Sequence, residues 1–444
     1  MPRFSISSLN NKYVLALSGN VAISVLGIMQ WGLLYRSLDK YDVGLWIFFM
    51  MVYSLADALR NGLLSTATVK FYAGAEPARA ATVLGSVWFL AIAITGSLCV
   101  LDVACFPFMH HFSSPEITVT IKWFGITVLS SLVFTVVLWI LVADEKYGKI
   151  LWLRLVNSGS MVMLIIALIF MKKMSLEALL FVNVITYCLA SLVGLLWGLA
   201  KVKTLFKKSN ECIFEIIHFG KYSLGSSLLS RCLASTDTFI ITFILGPAAL
   251  AIYSIPLRLM EFIELPLRSF AGIGMSSMAA ALNNKNMERV IYIFKKYSGM
   301  VTYAFIPLII GTFIFADLAV SILGGGKYIG TEAANIYRIF MTFAILYPID
   351  RFNGVTLDII HQPKINFYKV IIMLVINVGA DFAGLAIYRN IYSVAIASFF
   401  TLAGGLLYGH IQLRKHIQYT IRDILSTGYL ETKLFIRKKV LKQN

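Results

Sequence analysis

Long apolar runs alternate with short polar breaks along almost the whole chain of 444 residues. A helix needs about 20 apolar residues to cross a hydrocarbon core about 30 Å thick. Runs of that kind lie at 13–35, 43–63, 82–104, 117–142, 150–171, 176–200, 222–245, 251–278, 297–323, 333–360, 370–388 and 391–413. Backbone groups in lipid must pair within their own segment, so each run is expected as a helix. The fold class is therefore all-α: a polytopic membrane protein with about twelve transmembrane helices in two six-helix bundles. The bundles are expected over 1–200 and 222–413, with a basic linker at 201–221 and a basic tail at 414–444. These segments leave no room for a soluble domain.

Composition supports the pattern. The chain is 59% hydrophobic and 14% charged, against about half and about a quarter in ordinary soluble domains. The net charge of +17 would suggest a nucleic-acid surface on a soluble protein, but its distribution points elsewhere. With both termini taken as cytoplasmic, the loops on that side hold 25 of the 39 Lys and Arg, the opposite loops 6 and the spans 8. That is the positive-inside bias of a multi-pass membrane protein with N- and C-termini cytoplasmic, and no nucleic-acid partner is expected. The first run follows Arg3 and Lys12 without a small-residue cleavage signature, so it reads as an uncleaved span. The five cysteines show no CxxC spacing, and the pair His110–His111 has no acidic or thiol companions, so no metal site is expected.

An offset of 207 lays Leu38-Asp39-Lys40-Tyr41-Asp42-Val43-Gly44-Leu45-Trp46 over Leu245-Gly246-Pro247-Ala248-Ala249-Leu250-Ala251-Ile252-Tyr253, with apolar and aromatic positions coinciding. Six spans per half give both halves one orientation, the parallel repeat of transporters that rock two bundles about a central site. On these residues the sequence resembles the polysaccharide flippase (Wzx-type) branch of the multidrug/oligosaccharidyl-lipid/polysaccharide (MOP) exporter superfamily. That branch shows roughly Leu-Gly-Pro-x-x-(aromatic)-Gly-(aliphatic)-(aromatic) after the first span of each half. The first half departs from it with Asp39 and Lys40 for Gly-Pro, the second with Ala251 for Gly. Asp237 resembles the branch's acidic residue in the seventh span, and Leu323-Gly324-Gly325-Gly326-Lys327-Tyr328 its turn after the ninth. The resemblance implies a MOP/MATE-like transporter, not an enzyme. It implies movement of undecaprenyl-diphosphate-linked oligosaccharide (an O-antigen, capsule or exopolysaccharide repeat unit) from the inner to the outer leaflet by alternating access. A polysaccharide polymerase and chain-length machinery are its implied partners beside the lipid-linked glycan and the phospholipid bilayer. No resident cofactor is implied, and H⁺ or Na⁺ coupling or the membrane potential would drive transport.

Charges within the spans are the candidate chemistry, because each costs at least ~2.5–3.5 kcal/mol near the bilayer centre without a partner or water. Lys122, Arg154, Arg338, Asp102, Glu177, Asp317 and Asp358 lie near span ends, where side chains reach the interface. Deeper lie Arg231, Asp237, Arg258, Glu261, Glu264, Arg268, Asp350, Arg351 and Asp381, with Asp57 and Arg60 in the second span. Arg258, Glu261, Glu264 and Arg268 share one helix face at ion-pair spacings. A guanidinium fork matches phosphate oxygens, so Arg60, Arg231, Arg258, Arg268 and Arg351 are candidate diphosphate contacts. Asp57, Asp237, Glu261, Glu264, Asp350 and Asp381 are candidate ion-coupling groups or charge partners. Internal salt bridges that hold the bundle are the competing reading. The spans carry 8 basic against 10 acidic residues, which also suits a MATE-type multidrug/cation antiporter. A membrane glycan polymerase or glycosyltransferase is disfavoured, since the longest outer loop, 105–116, has only twelve residues. The tail reads either as a basic amphipathic helix on the inner surface or as a segment held to anionic lipid by charge alone.

Overall fold

The computed structural model describes residues 12–111 and 114–440, and every regular element among them is helical. The chain ends before Lys12 and after Val440 lie outside the described residues. Helices α1 (Lys12–Ser37), α2 (Lys40–Tyr72), α3 (Pro77–Cys105), α4 (Pro115–Ala143), α5 (Tyr147–Phe170) and α6 (Leu176–Leu196) match the first six runs. Helices α7 (Asn210–Leu245), α8 (Pro247–Asn283) and α9 (Met287–Gly324) follow. Next come α10 (Ala333–Ala344), α11 (Tyr347–Ile359), α12 (Pro363–Tyr388), α13 (Ile391–Arg414) and α14 (Ile421–Val440). Nine of them are long and apolar enough to span a bilayer, so this is a multi-pass membrane protein. The exceptions among the expected spans have local causes in two cases. The eighth run carries four charges, and the expected single helix over 333–360 is split in two at Ile345–Leu346, two residues before Pro348.

The chain divides into two compact units, Met1–Cys232 and Leu233–Asn444, with the division inside α7. In unit 1, α2, α3 and α4 pack about a core that includes Leu64, Val83, Val87, Val136 and Ile140, all essentially without exposure. The stretch after α6 docks on this core. Trp88 Nε1 donates to the Ala200 carbonyl at 2.9 Å, and the Ser86 hydroxyl approaches the Ser209 backbone. Val202–Lys207 is a 3₁₀ turn, and α7 is already helical at Asn210, inside the stretch expected as linker. The first part of α7 lies along α2, through Phe71 against Phe219 and a 3.0 Å Thr66–Ser223 hydroxyl bond.

In unit 2, α9 packs against α8, α10, α11 and α14, while α13 packs against α10, α11 and α12. The repeat is visible in the backbone. Lys40 and Pro247 open α2 and α8 at the same offset of 207 that aligns the sequences. Left-handed residues follow equivalent helices in both halves: Gly74 and Lys285 after α2 and α8, Glu145 and His361 after α4 and α11, Lys172 and Arg389 after α5 and α12. Such residues close helix ends by satisfying their last carbonyls. The broken Gly-Pro motif of the first half also finds its cause. Gly246 sits at φ 89°, which only glycine adopts freely, whereas its counterpart Asp39 sits at φ −72°.

Gly246→Ala is therefore expected to lower stability by about 1–2 kcal/mol, and Asp39→Gly by less than about 1 kcal/mol. Thermal unfolding of the two variants in detergent checks the difference, and equal effects would contradict it.

Candidate functional site

The most deeply charged place in unit 2 is built by four helices. Asp237 comes from α7, Tyr253 from α8, Asn377 and Asp381 from α12, and Ser398 from α13. The Tyr253 hydroxyl donates to Asp237 Oδ2 at 2.6 Å and Asn377 Nδ2 donates to Oδ1 at 3.0 Å. The Ser398 hydroxyl stands 3.5 Å from Oδ2. Asp381 is 0% exposed, and neither of its carboxylate oxygens has a hydrogen-bond partner; Asn377 Oδ1 also has none. Asp381 is close enough to Asp237 for the two carboxylates to act on each other. No basic side chain pairs with either acid among the described residues. Two carboxylates cannot both stay ionised in such a place uncompensated. The site holds free oxygen donors and net negative charge, a set that suits a proton shared by the pair or a hard monovalent cation.

Tyr347, the first residue of α11, is half-buried within electrostatic reach of Asp237, Glu264 and Asp350. The break between α10 and α11 therefore lies beside the acids. Discontinuous helices in transporters occur where backbone lines a site rather than lipid.

On α8 the expected pairs form. Arg258 Nη1 lies 2.5 Å from Glu261 and Arg268 Nη2 2.7 Å from Glu264. The side chains of Glu261 and Arg268 are 58% and 63% exposed, at positions flanked by apolar helix. Groups so charged and so exposed at membrane depth need water beside them. Arg351 is exposed on α11, next to Asp350, which instead turns inward and pairs with Lys369 of α12 at 2.6 Å. Lys369 is only 8% exposed. The sequence reading counted it among cytoplasmic loop charges and gave Asp350 no partner. Arg231 is exposed on the unit 1 portion of α7 and makes no hydrogen bond or ion pair among the described residues.

Unit 1 treats its charges differently. Arg60 is 0% exposed, with Nη2 donating to Asp57 at 2.8 Å and to the Ser131 hydroxyl at 2.9 Å. Its Nη1 donates to the Val128 carbonyl at 3.0 Å and to Thr95 at 3.4 Å. Asn61 bridges from the other Asp57 oxygen to Trp139 Nε1. No part of the Arg60 fork is left facing outward, so the geometry makes it a tie between α2, α3 and α4 rather than a surface contact. Four of the seven charges expected at the interface pair with one another, Lys122 with Glu177 at 2.8 Å and Arg338 with Asp317 at 2.5 Å, while Asp102 accepts from the Gly125 N–H and Asp358 from Asn366.

The sequence reading named both carboxylates but missed Tyr253, Asn377 and Ser398 around them. A signal existed, since Asn377 and Asp381 stand four apart on one face of an otherwise apolar stretch of α12.

The sequence profile of the family described as "Polysaccharide biosynthesis protein" matches residues 33–332. The chain belongs to that family. The matched region includes Asp237 and Tyr253, while Asn377, Asp381 and Ser398 lie beyond it. Search of curated proteins finds no match. Among solved structures, the fold is similar to "Lipid II flippase MurJ" in an inward closed conformation, with TM-score 0.75 at 15% identity over 96% of this chain and 93% of that one. It is similar to an inward-facing MATE family multidrug resistance transporter of the MOP superfamily, with TM-score 0.73 at 15% identity over 96% and 99%. A MOP superfamily transporter from Pyrococcus furiosus gives TM-score 0.61 at 16% identity over 91% and 94%. The family and the MOP fold agree with the resemblance drawn from the motifs.

For this member of the polysaccharide biosynthesis family, Arg60→Met is expected to cost about 3–5 kcal/mol, because it strands Asp57 and the hydroxyls beside it. Asp57→Asn combined with Arg60→Met should recover part of that loss. Thermal unfolding of the single and double variants measures both, and a harmless Arg60→Met would refute the tie.

Proposed function

We propose that this protein is a flippase that carries a polyprenyl-diphosphate-linked glycan from the inner to the outer leaflet of the cytoplasmic membrane by alternating access. The supporting observation is an acid pair with no basic partner among the described residues, buried Asp381 and half-buried Asp237, in a MOP-fold member of a polysaccharide biosynthesis family. Unpaired hydroxyls cost several kcal/mol each in an apolar medium, so a glycan needs a polar path. The exposed charges of α8 and α11 supply one, with Arg268 and Arg351 meeting the diphosphate; Arg258, held to Glu261, borders the same face. Arg231 is an additional open cation. H⁺ or Na⁺ bound between Asp237 and Asp381 compensates the acids in one half of the cycle, and its release returns the carrier. Outward movement of an anion against an inside-negative potential is itself favourable by ~2.3 kcal/mol per charge per 100 mV. Repeat-unit glycans of O-antigen, capsule or exopolysaccharide fit this path. Delivery to a polymerase with its chain-length machinery would follow on the outer face.

The same acid pair suits a cation antiporter, and one experiment separates the readings. Purified protein in proteoliposomes is supplied with undecaprenyl-diphosphate-linked oligosaccharide, and outer-leaflet glycan is counted under imposed Na⁺, H⁺ or voltage gradients. The expected result is glycan translocation that falls at least about 10-fold in Asp381→Asn and in Arg268→Ala/Arg351→Ala. Transport of cationic drugs without any glycan movement would overturn the flippase reading.

A further inference from the structure

The tail helix α14 divides its charges between two directions. Its acids are consumed by α9: Asp423 pairs with Lys295 at 3.5 Å, while Glu431 accepts from the Tyr292 hydroxyl and pairs with Lys296. Gly299 and Gly428 bring the two backbones together, and a Cβ on Gly299 would stand 2.2 Å from the Ile424 carbonyl oxygen. Ile424 is fully buried in this contact, and Tyr303 meets Tyr429 at 6.0 Å. The tail is also hooked at its start, where the Tyr419 hydroxyl reaches His410 at 2.9 Å and Asn353 at 3.4 Å.

The opposite face is left open. Arg422, Ser426, Lys433 and Arg437 are all exposed, and their spacings of four, seven and four put them along one line of the helix. Arg422, Lys433 and Arg437 make no hydrogen bond or ion pair among the described residues. Beside them Leu430 is 59% exposed and Leu434 49%. The height of this face is set by α9. The crossing at Gly299 falls just after the charged opening of α9 (Glu288, Arg289, Lys295 and Lys296) and at the beginning of its apolar run. That is the level at which water gives way to hydrocarbon.

We propose that the open face of α14 is a docking surface for anionic phospholipid headgroups, with Arg422, Lys433 and Arg437 against the phosphates and Leu430 and Leu434 in the acyl boundary. Amphipathic helices with basic polar faces bind membranes in this way, and unpaired cations near a surface each add to the attraction. The inference needs only that α9 crosses the bilayer. It is independent of which side α14 occupies, of the glycan and of ion coupling, so its failure would leave the flippase reading intact.

The test is hydrogen exchange of the full-length protein in nanodiscs, which present the same lipid on both faces. Discs of phosphatidylcholine are compared with discs that also contain phosphatidylglycerol. The expected result is exchange over 421–437 slowed about 10-fold or more by phosphatidylglycerol, with the difference lost at high salt. The variant Arg422→Glu/Lys433→Glu/Arg437→Glu keeps Asp423, Gly428 and Glu431. It should exchange alike in both discs while α9 stays as protected as in the wild type. Equal wild-type exchange in the two discs would overturn the proposal. So would protection induced in phosphatidylcholine discs only by undecaprenyl diphosphate, which would give the face to the substrate. Protection appearing only in discs that hold two copies would overturn it in favour of self-association.

Discussion

An ionised side chain at membrane depth must be compensated, and the structure is organised by how each charge meets that demand. In unit 1 the answer is internal. Arg60 and Asp57 neutralise each other, and Ser131, Thr95, Asn61 and the Val128 carbonyl take further hydrogen bonds, leaving Arg60 Nε buried without one. A planar fork with fixed donors holds three helices in one register, which an ammonium would not do. In unit 2, Asp350 with Lys369 follows the same rule. Asp237 and Asp381 do not. Among the described residues they have no basic partner, and Tyr253, Asn377 and Ser398 around Asp237 are neutral.

The α8 ladder meets the demand in a third way. Each arginine has its own carboxylate on the same helix, so the face is neutral as a whole yet carries separable charges. A face of that kind tolerates water without a net field. It presents guanidinium to an anion only when the anion competes with Glu261 or Glu264. Arg351 and Arg231 have no carboxylate partner among the described residues.

Much of this architecture was legible in the apolar pattern, because lipid forces a one-to-one relation between a long apolar run and a helix. The α8 pairs were legible for a similar reason, since their spacing lies within one helix. The errors arose where the deciding contact is remote. Tyr253, Asn377 and Ser398 reach Asp237 from 16, 140 and 161 residues away. Lys369 appeared to be a loop charge because its partner Asp350 belongs to another helix 19 residues earlier. The stretch after α6 is basic and looked like a free linker, yet Trp88 and Ser86 of α3 hold it to the core. The break over 345–346 had one local sign, Pro348, whose ring cannot continue a helix from the residues before it.

The repeat explains why the acid pair belongs to one half alone. The offset of 207 carries Asp237 to Gln30 and Tyr253 to Trp46, whose buried indole Nε1 has no partner. Aligning the first residues of α5 and α12 carries Asn377 to Met161 and Asp381 to Ile165, and all four are buried, as a common register requires. The corresponding positions of the first half thus hold neutral side chains. The same offset carries Glu264 to Asp57, and each acid has an arginine within one helical turn, Arg268 at i+4 and Arg60 at i+3. That one-residue difference separates an exposed arginine from a fully buried one. From one ancestral bundle plan, unit 1 has a dry, internally neutralised core and unit 2 a wet face with an open acid pair.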